Sequence, residues 1–323
     1  MFVRLWVRSF HIYDLLIAIG LITLIVYLCL PFRFASHYDY IEESKIEGAL
    51  VPQVTRNVSL PEVFECTYSE IIAENRFVYH LAHYHDAVQR GAEIRPGGEF
   101  QPEVCQARYS TAIIVPYRQR EEQLHAFLTY MHNYLPQQLI HYRIFLVEQF
   151  DHKPFNRAML FNIGAQVAAE YGFSCLILHD VDLLPLNSGQ IYACSERPRH
   201  MCSALDHWRF RLPYRGLFGG VVAINTAQYQ QINGMSNLYH GWGGEDDDLY
   251  ERLQALNIDI CRFAMEFSEY TMLKHKPERP NANRVALLRS ATLRQQSDGL
   301  NSLVYTEVER RMHSLFTHIL VDT

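Results

Sequence analysis

The chain has 323 residues, 49% of them hydrophobic, and a formal net charge of −6. That length and apolar content suffice for a full core, which excludes an intrinsically disordered chain. The acidic balance, with no long Lys/Arg run, argues against nucleic acid as a partner.

Residues 1–14 carry Arg4 and Arg8 and precede an apolar run, Leu15 to Phe32, broken only by Gly20, Thr23 and Pro31. A helix of that length crosses the hydrocarbon core of a bilayer. The basic residues in front, and the acidic Asp39, Glu42 and Glu43 behind, place the N-terminus in the cytosol and the rest of the chain outside it. The run is longer than a signal-peptide core and no clear Ala-x-Ala site follows, so it reads as a membrane anchor rather than a cleaved leader. Of seven cysteines, Cys29 lies in this run, and Cys66, Cys105, Cys175, Cys194, Cys202 and Cys261 lie beyond it without zinc-like spacing. In an oxidising compartment some of these form disulfides, in pairings that spacing alone leaves open. Asn57-Val58-Ser59 is a glycosylation sequon on the matching side.

Residues 33–100 mix charge, proline and aromatics without a sustained period and read as a stem with local helical pieces. From 101 to 323 the grammar is that of a folded domain. Thr111–Pro116, Tyr142–Val147 and Ser174–His179 are short apolar strand signals, with helical stretches from Glu121 and over Ala158–Ala169 between them. This alternation predicts an α/β domain with a mostly parallel, Rossmann-like sheet and ligands at the carboxyl ends of its strands.

Two motifs fall at such ends. Pro116-Tyr117-Arg118-Gln119-Arg120 follows the first strand, and its guanidinium groups, with that of Arg157, suit phosphate. Asp180-Val181-Asp182 follows the third. If extended, it aims both carboxylates at one ligand, an arrangement suited to a divalent cation that neutralises a diphosphate. Met272 and His275 can add a thioether and an imidazole, a set that favours Mn²⁺ over Mg²⁺. Gly241 to Asp248 packs three glycines and four carboxylates into eight residues. Leu249, Leu253 and Leu256 behind it make the acids the first turn of a helix, where carboxylates complement the macrodipole and a rigid Asp can serve as general base. The glycines give Trp242 a hinge for a lid. A base, a metal site and a lid are what sugar transfer from a nucleotide donor requires.

Together with Phe155–Ala158, Phe218–Val221 and Ser297–Leu303, these motifs resemble the β-1,4-galactosyltransferase family (glycosyltransferase family 7), over about Cys105 to Asp322. The resemblance implies a GT-A-like lumenal domain on a single-pass type II anchor in the Golgi membrane. It implies Asp182, Met272 and His275 as Mn²⁺ ligands and Asp246 as the base. Pro116, Arg118, Arg120, Phe155, Arg157, Asp180, Val181, Leu217, Gly219 and Trp242 are implied around the donor. The implied acceptor residues are Tyr214, Trp242, Gly244, Glu245, Asp246, Asp247, Arg284, Val285 and Leu288. The family's two disulfides fall on Cys66 with Cys105 and Cys175 with Cys194.

Departures from the family pattern bear on substrate. Leu217 stands where galactose-transferring relatives carry a Tyr that crowds the 2-position of the donor, so an N-acetyl group fits. Such a change is worth about 1–3 kcal/mol of discrimination. The resemblance is therefore to the invertebrate branch that transfers N-acetylgalactosamine. His207 replaces a Lys near the diphosphate, and Val285 and Leu288 replace a Phe and an Ile in an apolar acceptor pocket. Trp242–Glu245 and Met272 follow the pattern of acceptors ending in GlcNAc rather than xylose. The expected reaction is inverting β-1,4 transfer of GalNAc from UDP-GalNAc to terminal GlcNAc, with UDP-galactose as the alternative donor. Dimerisation or a protein partner is compatible with it. A silent member that only binds a glycan or another transferase is the alternative class. It would carry a broken metal or base position, and none is broken here.

Overall fold

The computed structural model describes residues 2–35, 39–53, 64–78 and 93–323; the sequon at Asn57 lies outside them. The chain divides into two units, 1–39 and 40–323. The first is one helix, α1 (Phe2–Ala35), whose described side chains, Ile12 to Leu28, are exposed. Among the described residues no helix is long and apolar enough to cross a membrane. The expected span runs on to Phe32, and its last four side chains lie outside the described set.

The second unit opens with two short helices, α2 (Glu43–Ala49) and α3 (Ser69–Ala73). They revise the expected stem. Ile46, Leu50, Tyr68 and Ile72 are buried in the main core, and Ile41, Leu50 and Phe77 form backbone bridges to Phe263, Ser195 and Asn187. Spread over short pieces, these apolar residues show no period, yet each fills a place on the core's surface.

Among the described residues the principal sheet has eight strands. β1 (Glu99–Phe100) pairs with β3 (His141–Gln149), and the main order is β10-β11-β3-β2-β4-β8-β6, where β2 is Ser110–Tyr117, β4 Cys175–His179, β6 Arg199–His200, β8 Val221–Asn225, β10 Thr306–Met312 and β11 Thr317–Asp322. The centre is parallel, β11 with β3, β3 with β2 and β2 with β4, but both edges run antiparallel. The expected mostly parallel sheet thus holds at its centre only. Helices α4 (Glu121–Tyr134) and α5 (Arg157–Glu170) make parallel crossovers, whereas the antiparallel edge strands need none. A second sheet joins β5 (Leu183–Pro185), β9 (Glu269–Met272) and β7 (Ala204–Leu205) in the order β5-β9-β7.

Strand alternation divides the core. Ile113, Val115, Ile144 and Ile177 point into one cluster, with Phe127 and Met131 of α4. Ile114, Phe145, Val147 and Leu178 point into the other, with Leu160 and Ile163 of α5 and Leu249 and Leu253 of α7 (Glu245–Ala255). Period-two burial on both faces is what a strand between two helical layers requires. Pro116, in central β2, sits beyond the stretch paired with β4, where a missing N–H costs no hydrogen bond to that strand. The remaining helices are α6 (Thr226–Gln231), α8 (Arg284–Arg289) and α9 (Ala291–Arg294).

Candidate active site

The carboxyl ends of β2, β3 and β4 deliver Arg118 and Arg120, Phe155 and Arg157, and Asp180 and Asp182 to the same rim of the sheet. Arg118 donates to the Lys153 carbonyl at 2.7 Å and stacks over the Phe155 ring at 5.2 Å; Arg120 donates to the Lys276 carbonyl at 2.8 Å.

The Asp180-Val181-Asp182 segment is not extended as expected. The chain must leave β4 and enter β5 of the other sheet at Leu183, so it turns here, and the Leu183 N–H donates to the Asp180 carbonyl at 3.3 Å. The two carboxylates accordingly take different partners. Asp180 accepts from Arg157 Nε at 2.6 Å, and Asp182 pairs with His275 Nδ1 at 2.7 Å. Val181 is buried between them in sequence.

Asp182, Met272 and His275 are ninety residues apart in sequence but meet through β-pairing. Leu183 is the register partner of Met272, and the Leu273 N–H donates to the Asp182 carbonyl at 2.7 Å. The hydrogen bond that His275 donates to Asp182 raises the His275 pKa. Asp206, which the sequence did not single out, accepts from the Met272 N–H at 3.1 Å and from Thr271 Oγ1 at 2.5 Å, fixing the strand that carries the thioether. Nothing distinguishes a lone Asp in sequence. Among the described residues no group of three or more His, Cys, Asp or Glu side chains forms a metal cluster. The candidate set has two of those types plus sulfur, and its carboxylate, imidazole and thioether fit Mn²⁺.

The acidic run opens α7 as expected. Gly244, left-handed at φ 96°, caps it; a Cβ there would come within 2.8 Å of the Tyr239 ring. The four acids then diverge. Asp246 accepts from Arg157 Nη1 at 2.7 Å, and Glu245 lies 3.4 Å from the same nitrogen. Asp247 accepts from the Tyr214 hydroxyl at 2.6 Å. Asp248 is wholly buried, held by Arg252 at 2.6 Å, Arg294 at 3.0 Å and Tyr239 at 3.0 Å. Asp246 rests against Gly219, where a Cβ would lie 2.1 Å from its carboxylate. Burial pushes the Asp180 and Glu245 carboxyls up to about 7, Arg157 opposing the shift in both. Arg157, expected at the nucleotide, is engaged here with three carboxyl groups.

Trp242 is 59% exposed, with the Arg284 guanidinium 5.4 Å from its ring. Its segment is tied down at the backbone. Gly241 donates to the Phe155 carbonyl at 2.7 Å, Trp242 to that of Arg279 at 2.8 Å, and Asn281 to that of Trp242 at 2.9 Å. Val285 is exposed and Leu288 half-buried on α8, which Arg284 begins. Leu217 is half-buried and His207 exposed. The disulfides Cys66–Cys105 and Cys175–Cys194 are present, and Cys202 and Cys261 are free and buried.

Comparison with known proteins bears on this geometry. Residues 70–195 match the family model for the N-terminal region of glycosyl transferase group 7, and residues 199–276 match the model described as the N-terminal domain of galactosyltransferase. The chain is 38% identical to beta-1,4-galactosyltransferase 6 of Rattus norvegicus over 241 residues, covering 74% of this chain and 63% of the relative. It is 39% identical to beta-1,4-galactosyltransferase 3 of Homo sapiens over 242 residues, covering 73% and 62%. The chain thus spans a little under two thirds of the length of these curated relatives. The catalytic domain of Drosophila beta1,4galactosyltransferase 7, solved in complex with xylobiose, aligns with a TM-score of 0.57 at 27% identity over 66% of this chain and 93% of that one. A mutant of that protein in complex with manganese, UDP-Gal and xylobiose aligns with a TM-score of 0.58 over the same shares.

Proposed function

Since the chain belongs to the group 7 glycosyltransferases, we propose that it is an inverting, Mn²⁺-dependent enzyme transferring N-acetylgalactosamine from UDP-GalNAc in β-1,4 linkage to the terminal GlcNAc of a glycoprotein or glycolipid glycan. The observation that carries the donor assignment is Leu217, half-buried in the loop between Tyr214 and Gly219. An aliphatic side chain at this point leaves room for a 2-acetamido group. Galactose is the second reading, favoured by the curated relatives, which are galactosyltransferases, and by the UDP-Gal bound to a related structure.

Asp246 is the base in this reading. Fixed on the first turn of α7, it takes the proton of the acceptor 4-hydroxyl as that oxygen bonds to the anomeric carbon and UDP departs from the opposite side. Gly219 gives the carboxylate its seat, and the bond between Tyr214 and Asp247 orients two acceptor residues. Asp182, Met272 and His275 would hold Mn²⁺, which when bound supplies positive charge to the diphosphate. Arg118 and Phe155 form a stacked wall for the nucleotide. Trp242, exposed beside Arg284 on a backbone tied to Phe155, Arg279 and Asn281, screens the donor from water with its indole.

The proposal extends to location: α1 anchors a type II protein in the Golgi membrane with residues 40–323 lumenal. Exposed apolar side chains from Ile12 to Leu28 and two disulfides support it. Protease protection of the catalytic unit in sealed vesicles is the expected result; its digestion without detergent contradicts the topology.

The deciding experiment compares kcat/KM for UDP-GalNAc and UDP-Gal with the detergent-solubilised chain, Mn²⁺ and a GlcNAc-terminated acceptor. Preference for GalNAc, reversed toward galactose by Leu217→Tyr, is expected. A galactose preference in the unaltered protein retains the family chemistry and removes Leu217 as selector.

A further inference from the structure

The loop from Tyr214 to Gly219 carries an acceptor contact, the donor-selecting Leu217 and the seat of Asp246, yet it contains no regular secondary structure. Its shape must come from elsewhere. Arg262, buried and on the strand-like segment that follows α7, reaches across with its Nη2 and donates to two of the loop's carbonyls, Arg215 at 2.9 Å and Leu217 at 2.8 Å. Its Nε donates to His200 Nδ1 at 3.2 Å. His200 is fully buried, and its other nitrogen lies 3.0 Å from the Gly219 carbonyl and 3.6 Å from Cys202 Sγ.

These contacts fix the imidazole's protonation. Nδ1 accepts the hydrogen bond of Arg262 Nε–H, so it carries no hydrogen; Nε2 faces a carbonyl, so it carries the hydrogen. Burial and the adjacent guanidinium both hold His200 neutral. One Arg–His pair therefore grips the carbonyls at 215, 217 and 219, on both sides of and at the donor-selecting residue. The Gly219 carbonyl also accepts from Cys202 Sγ at 3.2 Å and from the Val221 N–H at 2.9 Å, and the next carbonyl, Gly220, accepts from the Asp180 N–H at 3.0 Å.

We propose that Arg262 and His200 are positioning residues that set donor selectivity by fixing the backbone on which Leu217 stands, with neither side chain touching the sugar. A steric selector discriminates only if its backbone cannot yield. A shift of about 1 Å at Leu217 admits or excludes an acetamido group. Replacing a guanidinium that holds two carbonyls and a ring by an ammonium of different shape removes that rigidity while keeping the charge. This inference rests on the donor reading above.

The test uses the full chain in detergent with three variants, Arg262→Lys, His200→Phe and His200→Gln. Dissociation constants for UDP-GalNAc and UDP-Gal are measured by calorimetry in saturating Mn²⁺, beside kcat/KM for both donors, Mn²⁺ affinity without nucleotide, and melting temperature. The ratio of the two donors is expected to move about tenfold toward unity in Arg262→Lys and His200→Phe. His200→Gln, which retains a donor for the Gly219 carbonyl, stays closer to the parent, and Mn²⁺ affinity is unchanged in all three. Loss of melting temperature or of kcat for both donors alike, with the ratio intact, assigns the pair a structural role only and overturns the proposal. Should His200→Phe fail to fold, Arg262→Lys and His200→Gln decide alone. If the parent itself does not discriminate between the donors in binding or turnover, the donor reading fails and this inference with it. A discriminating parent with unmoved variants overturns this inference and leaves that reading standing.

Discussion

Two arginine–carboxylate clusters meet at the first turn of α7, and they differ in balance. Asp248 and Asp298 share Arg252 and Arg294 in the interior, two guanidinium groups for two carboxyl groups, with Arg252 and Asp248 wholly buried. One turn-face away, Arg157 alone faces Asp180, Glu245 and Asp246. The first cluster is complete, and its members need nothing further. The second has one cation for three acids, and burial drives two of those acids up to about 7. Neighbouring residues of one acidic run thus sit differently: Asp248 is held between two arginines and fixes the helix, and Asp246 shares one arginine with two other acids.

Substitutions in and beside the two clusters break this contrast most directly. Asp246→Asn is expected to lower kcat about a thousandfold, with UDP binding and melting temperature close to the parent's. Retained turnover removes Asp246 as base. Asp248→Ala is expected to do the reverse, costing about 3–5 kcal/mol of stability because Arg252 is left buried beside one fewer carboxylate. Chemical denaturation measures it, and a loss under 1 kcal/mol contradicts the assignment of Asp248 to the fold. Gly219→Ala sharpens the comparison without changing any charge. Its methyl group displaces the Asp246 carboxylate, so kcat is expected to fall about a hundredfold with Mn²⁺ affinity intact.

The smallest effect concerns a third cluster. Glu99 faces both His141 and Arg143, and these partners hold its carboxyl down at about 2, the His141 hydrogen bond foremost. A depressed carboxyl stabilises the fold above its ordinary value of 4.5, and that stability is lost as pH falls from there toward about 2. Glu99→Gln is expected to flatten the acid limb of a stability–pH profile by on the order of 2 kcal/mol. An unchanged limb shows that the cluster contributes nothing.

Much of the 40–323 unit was legible because its signals are local. The central strands show as apolar runs and α7 as leucines behind an acidic cap. What stayed hidden depends on partners distant in sequence. The turn at Val181 follows from β5 belonging to a different sheet, which nothing near residue 181 announces. The packing of Ile46, Tyr68 and Ile72 follows from a core surface that only the folded domain presents. Arg157 read as a phosphate ligand because guanidinium suits phosphate, but it suits carboxylates as well, and only the fold brings three to it. The antiparallel edges were missed because two-residue β6 carries no period at all and seven-residue β10 buries none of its side chains.

The register that pairs Leu183 with Met272 has a kinetic consequence. Side chains that lie ninety residues apart, as Asp182 and Met272 do, come together only once the intervening segment, which includes β8 and α7, has closed a long loop. The meeting of these side chains is therefore a late event in folding.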